Sequence, residues 1–218
     1  MISGFLSGVF SGHSSPPPVN CHFCVALSHD NKYVVSGNDD DGIIIIYSTK
    51  TGIVEYRADN VFANGGVDGL CFLPNGSLVA CGYGGDGGNL KVLSPSLELV
   101  QTLVGHTLVR CVTVSPSGSH IASGGYDGKV MIWSESGEGG EWARVQVLED
   151  HTDAIFAVCF SPDGKQLATG SYKSINLYSF NEGSAILAHT LEGHTDCVWS
   201  LSFSPDCKLL CSGSDERE

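Results

Sequence analysis

Four groupings of residues have the types and spacings that chemistry uses. His106, Ser123 and Asp127 supply an imidazole, a hydroxyl and a carboxylate, the set that nucleophilic hydrolysis needs. Gly82-Tyr83-Gly84-Gly85-Asp86-Gly87 fits the glycine fingerprint of a dinucleotide site by letter. Cys21-His22-Phe23-Cys24 has the spacing of half a zinc site. Asp39-Asp40-Asp41-Gly42 has the carboxylate density of a calcium loop. Whether any of them works depends on the elements that hold it.

Three of the four lack what their chemistry requires. A pyrophosphate needs a helix N-terminus after the glycines, and Asn89 to Leu93 reads as a strand. Zinc needs four ligands. Cys207 and Cys211 do not complete a second pair at the right spacing, and Cys21 and Cys24, three apart on one strand, face opposite sides. The acidic run lacks the later bidentate glutamate of a calcium loop and reads as a solvated turn. No metal and no cofactor is therefore expected. The Ser-His-Asp grouping remains, and the strands around it decide its meaning.

Around that grouping, Leu103 to Ser134 reads as three short strands. Val109 to Ser115 is apolar and ends at the turn Ser115-Pro116-Ser117-Gly118. His120 to Gly125 is small and apolar, and Lys129 to Ser134 alternates after the turn Tyr126-Asp127-Gly128. The same order recurs. His106, His151 and His194 lie 45 and 43 residues apart, and the Ser-Pro turns at Ser115, Ser161 and Ser204 lie 46 and 43 apart. Counted back from the turn of each of units two to five, the inner strand alternates large and small residues. The large set is Leu70 and Phe72, Val112 and Val114, Val158 and Phe160, Leu201 and Phe203. The small set is Gly69 and Cys71, Cys111 and Thr113, Ala157 and Cys159, Ser200 and Ser202. Period two sends the sets to opposite faces, as a strand crowded on one side near a central axis requires.

A period in the low forties, with Gly-His at one end and an aromatic at the other, resembles the WD-repeat β-propeller family over about residues 20 to 218. The resemblance implies an all-β fold of about four and a half four-stranded blades. The units fall at about 21–60, 64–103, 103–148, 149–190 and 191–218, after an N-terminal segment, 1–20, that reads as an outer strand (Gly4 to Ser11) plus a Pro-rich linker. The last unit reaches Glu218 after two strands, inside its turn. The expectation is an incomplete, open or truncated ring that closes with a partner or by self-association through its open edge.

The resemblance also reassigns the Ser-His-Asp grouping. In the family, such residues form a hydrogen-bonded tetrad that ties the outer strand to the inner ones. Here that implies His106, Ser123, Asp127 and Trp133 in the third unit, His151, Thr169 and the Tyr178 ring in the fourth, and His194 and Ser212 in the fifth, where Glu216 holds the Asp position. The fourth unit has one residue fewer in its turn, which leaves Lys173 near the Asp position. Units one and two keep only fragments, so looser blades are expected there. Family partners dock at the start of the inner strand and beside the turn Asp. Carried over, these positions are Phe23, Asp68, Arg110, Phe156 and Trp199, with Tyr126 before the turn Asp and Tyr172 at the matching position of the fourth unit. Most are aromatic, and Arg and aromatics are enriched in binding hot spots. The alternative is that these rings simply pack between blades.

Composition narrows the function. The net charge is −13 with no basic cluster, which argues against nucleic acid and anionic membrane as partners. No apolar run approaches the ~20 residues of a membrane helix. Nine cysteines without framework spacing point to a reducing compartment, cytoplasmic or nuclear. The reading is a non-catalytic scaffold that binds proteins or peptides on its rim. Its rivals are an adaptor presenting a substrate to a larger complex, such as a ubiquitin ligase, and, further off, an enzyme.

Overall fold

The computed structural model describes residues 23–38, 41–85, 89–136 and 140–216. The expected N-terminal outer strand, Cys21, the first two aspartates of the acidic turn and residues 86–88 lie outside them. All regular structure among the described residues is strand. β1 (Phe23–Leu27), β2 (Tyr33–Asn38), β3 (Ile44–Ser48) and β4 (Val54–Ala58) form the first sheet. β5 (Val67–Phe72), β6 (Leu78–Gly82), β7 (Leu90–Leu93) and β8 (Leu99–Leu103) form the second. β9 (Val109–Val114), β10 (His120–Gly125), β11 (Val130–Ser136) and β12 (Glu141–Leu148) form the third. The fourth holds β13 (Ala157–Phe160), β14 (Gln166–Gly170), β15 (Tyr172–Asn181), β16 (Ser184–Phe203) and β17 (Leu210–Ser214). Neighbours in each sheet are consecutive and antiparallel, as in an incomplete propeller.

The chain departs from the expected pattern at its fourth and fifth units, which share one strand. Residues Ser184 to Glu192 of β16 pair with β15, and Val198 to Phe203 pair with β17. Between them the register jumps, since Ser174 opposes Glu192 while Tyr172 opposes Cys197. The Gly-His segment thus bulges from a continuous strand, and Gly193 adopts a φ of 151° that favours glycine.

Period two explains the cores between blades. On β5, Leu70 and Phe72 face the first blade and pack with Val35, Ile44 and Ile46, while Cys71 faces the third and packs near Val112 and Ile121. On β9, Cys111 faces the fourth blade and joins Ile155, Phe160 and Leu167. Large side chains thus reach back and small ones make room for the next blade. Gly69 shows how tight this is, because an added Cβ would lie 2.8 Å from Cys81 Sγ. The four isoleucines, Ile43 to Ile46, are all at most 5% exposed, as a strand covered on both faces requires.

Outer strands are joined by a device the sequence did not announce. Gln101 Nε2 donates to Trp142 O at 2.9 Å, and Trp142 N donates to Gln101 Oε1 at 2.8 Å. Gln146 makes the same pair with Ala185, at 2.8 and 2.7 Å. Each amide imitates a strand residue and pairs with the first residues of the next outer strand.

Candidate functional site

Blade three assembles the Ser-His-Asp grouping as one chain of hydrogen bonds. β10 carries Ser123, β11 carries Trp133, and the tight turn between them, closed by Gly128 at φ 73°, carries Asp127. Trp133 Nε1 donates to Ser123 Oγ at 2.9 Å, and Ser123 Oγ lies 2.9 Å from His106 Nε2. His106 Nδ1 lies 3.0 Å from Asp127 Oδ1. An ionised Asp127 only accepts, so Nδ1 carries the proton and Nε2 accepts from the serine. Burial pushes the His106 pKa down and outweighs the pull of Asp127, so the ring is neutral.

Geometrically this is the alignment of a catalytic triad, but access is missing. Ser123 is 0% exposed and its oxygen already accepts the indole proton, so no substrate reaches it. The four inner-blade thiols, Cys71, Cys81, Cys111 and Cys159, are no better as nucleophiles. Burial raises Cys71, Cys81 and Cys159, and takes Cys111 to about 12. The arrangement can satisfy buried polar groups and lock the outer strands. Asp127→Ala is accordingly expected to cost ~1–3 kcal/mol, and Lys173→Ala next to nothing. Equal shifts in melting temperature for the two would show that Asp127 does not anchor this blade.

Blade four builds its version differently. His151 Nε2 lies 2.7 Å from Thr169 Oγ1, and burial takes the imidazole pKa down to about 4. The shortened turn puts Lys173 at φ 67°, with its ammonium 4.7 Å from the centre of the Tyr172 ring. The carboxylate comes instead from Asp150, which accepts from the Tyr178 hydroxyl at 3.2 Å. Asn176, buried between them, donates to Asp150 O and accepts from Thr190. In the fifth unit, His194 joins Ser212 at 2.7 Å and Glu216 at 2.8 Å. Blade two has neither Gly-His nor aromatic. There Lys91, 8% exposed, donates to Val61 O at 2.7 Å and holds the loop before β5.

Five of the seven rim positions, Asp68, Arg110, Trp199, Phe156 and Tyr126, meet in one row. Asp68, Arg110 and Trp199 are each the extra residue of a β-bulge. Val67 pairs with Gly82 and Gly69 with Cys81; Val109 pairs with Gly125 and Cys111 with Gly124; Val198 pairs with Ser214 and Ser200 with Gly213. The flanking valine is buried in every case, and the bulge re-aims the residue after it. Arg110 forms an ion pair with Asp68, and the two side chains are 13% and 4% exposed. The guanidinium lies 5.5 Å from the centre of the Trp199 ring. Trp199 meets Phe156 at 4.7 Å between centroids, and Phe156 meets Tyr126 edge-on at 6.1 Å. The rings therefore do pack on one another, yet Tyr126 is 50% and Trp199 38% exposed. Tyr172, 42% exposed, stands with Lys173. Phe23 opens β1 opposite Asn38.

Sequence reasoning missed the bulges, Asp150, Asn176 and the two glutamines. A signal existed for the bulges: Val67-Asp68-Gly69, Val109-Arg110-Cys111, Ile155-Phe156-Ala157 and Val198-Trp199-Ser200 all place a β-branched residue, a large or charged one and a small one in order. Gln101 and Gln146 are 45 residues apart, the interval between His106 and His151.

Comparison with known proteins matches this geometry to a family. The family model described as "WD domain, G-beta repeat" matches residues 4–48, 97–134, 142–179 and 186–217, more than half of the chain. A curated relative from Sclerotinia sclerotiorum, named "Probable cytosolic iron-sulfur protein assembly protein 1", is 38% identical over 102 residues. That stretch covers 44% of this chain and 23% of the relative, so the match spans under a quarter of the relative's length.

Proposed function

Since the chain belongs to the WD-repeat family, we propose that it is a non-catalytic platform whose protein partners dock on the rim carrying Asp68, Arg110, Tyr126, Phe156, Tyr172 and Trp199. The observation that carries this reading is the row Asp68, Arg110, Trp199, Phe156, Tyr126. It crosses four blade units and leaves Tyr126 and Trp199 open to solvent. Exposed rings on rigid strand starts present large apolar area at small entropic cost. The buried Ser123 oxygen favours binding over hydrolysis.

The relative's name favours a second, narrower reading. A protein called an assembly protein suggests an adaptor within a complex, and the word cytosolic suggests that compartment for this chain too. Among the described residues β17 is paired on one side only, which offers a strand-pairing site for a partner or a second copy. Light scattering that shows one monomer mass at every concentration would count against self-association there.

The rim is tested by affinity capture and quantitative mass spectrometry with wild type and the Tyr126→Ala, Trp199→Ala double variant. The double variant is expected to lose the captured partners at least tenfold while keeping its circular dichroism. Partners retained by a folded double variant would reject the rim.

A further inference from the structure

Resting on the reading that this rim docks partners, we propose that the partner segment it takes is basic, with arginine or lysine side chains seated on Tyr126, Trp199 and Tyr172 amid the neighbouring carboxylates.

Two of these rings already carry a cation of the chain itself. The Arg110 guanidinium lies over Trp199 at 5.5 Å and the Lys173 ammonium over Tyr172 at 4.7 Å. Both rings are therefore placed where a cation meets the face, and both keep substantial exposure. Tyr126 presents the most open ring of the three.

Charge points the same way. Arg110 is engaged by Asp68, and Lys129 by Glu149 at 2.6 Å. The acids near the rings are less balanced. The loop carrying exposed Asp153 packs on the Tyr126 turn, where a Cβ on Gly128 would lie 3.2 Å from Asp153 O. Asp196 Oδ1 accepts from Cys197 N at 2.7 Å and Asp215 N donates to Cys197 O at 3.3 Å, which sets both acids beside Cys197, two residues before Trp199; burial, then these two acids, hold the Cys197 thiol pKa up. Asp196 also acts on Glu216. Among the described residues Asp153, Asp196 and Asp215 have no ion pair with a lysine or arginine. In a chain of net charge −13, this rim attracts cations and repels acidic segments.

Trp199 supplies the readout, because Trp133 and Trp142 are buried and it alone of the three tryptophans is exposed. The purified full chain is titrated with a synthetic peptide of about 12 residues alternating arginine and glycine, and with glutamine–glycine and glutamate–glycine counterparts. The arginine peptide is expected to change Trp199 emission saturably, with affinity falling as salt rises. Tyr126→Ala, and separately Asp196→Asn with Asp215→Asn, are each expected to weaken it about tenfold at unchanged circular dichroism. No saturable binding, or equal binding of the glutamine or glutamate peptide, would overturn the proposal. So would an affinity that Tyr126→Ala leaves unchanged, because binding would then be diffuse attraction to an acidic chain. Tyr126-dependent binding of the glutamine peptide would overturn only the basic character and leave the rim standing. Partner capture unaffected by the rim variants would remove the rim itself.

Discussion

Arg110→Ala is expected to lower the free energy of unfolding by about 3–5 kcal/mol, read from chemical denaturation. The loss exceeds that of an exposed pair because the Asp68 side chain is 4% exposed and loses its guanidinium partner in a poorly solvated place. The guanidinium also covers the Trp199 ring, so truncation opens a gap between three blade units. Arg110→Met combined with Asp68→Leu removes both charges and fills the space. It is expected to come within ~1–2 kcal/mol of wild type. Arg110→Lys keeps the charge without the planar fork and should fall between them. A cost under ~1 kcal/mol for the alanine variant would mean that the pair is solvated and does not join the blades.

Trp133→Ala is expected to cost about 3–5 kcal/mol, and Trp133→Phe only ~1–2 kcal/mol. The indole is 3% exposed in the core between the second and third blades, among Met131, Trp142 and Leu103. An added Cβ on Gly105 would lie 3.1 Å from its Cη2, so the loop ahead of β9 closes tightly over it. Phenylalanine keeps most of that packing and loses the hydrogen bond to Ser123. Equal costs for the two variants, measured by calorimetry, would shift the weight from ring volume to the hydrogen bond. A mild alanine variant would show that the third blade is not held by this ring.

The repeat was legible in the third, fourth and fifth units, which keep the loop histidine and the Ser-Pro turn that mark it. His106 recurs at His151 and His194, and the Ser115-Pro116 turn at Ser161 and Ser204, because these units reverse the chain alike, while Trp133 gives way to Tyr178 in the fourth and the second keeps neither mark. Inner-strand alternation was legible because Leu70 and Cys71 meet different neighbours. What a pattern of alternation hides is one added residue. The bulges at Asp68, Arg110 and Trp199 leave the sequence looking like an ordinary strand while turning each side chain onto the rim. The fourth blade hid its carboxylate for a related reason. Register assigns the acid to the turn, where Lys173 stands, but the shorter turn leaves the role to Asp150, beside the histidine. The fifth unit keeps its own pairing, Val198 to Phe203 against β17, but it is joined to the fourth through β16. Nothing in Leu191 to Asp196 breaks strand geometry strongly enough to end β16, so the chain bulges and runs on. The choice between docking rings and packing rings was open in the sequence because both use the same residues, and Phe156 packs while Tyr126 and Trp199 stay half open.

Photo-crosslinking in cells tests most directly whether the rim is where partners sit. A benzophenone amino acid is placed at Tyr126 or Trp199 on the rim, 50% and 38% exposed, and at Tyr56 or Val100 on outer strands, 43% and 60% exposed. Discrete protein adducts are expected from the two rim positions and few from the outer strands. Adducts from Tyr56 and Val100 with none from Tyr126 and Trp199, in chains that melt like wild type, would contradict it.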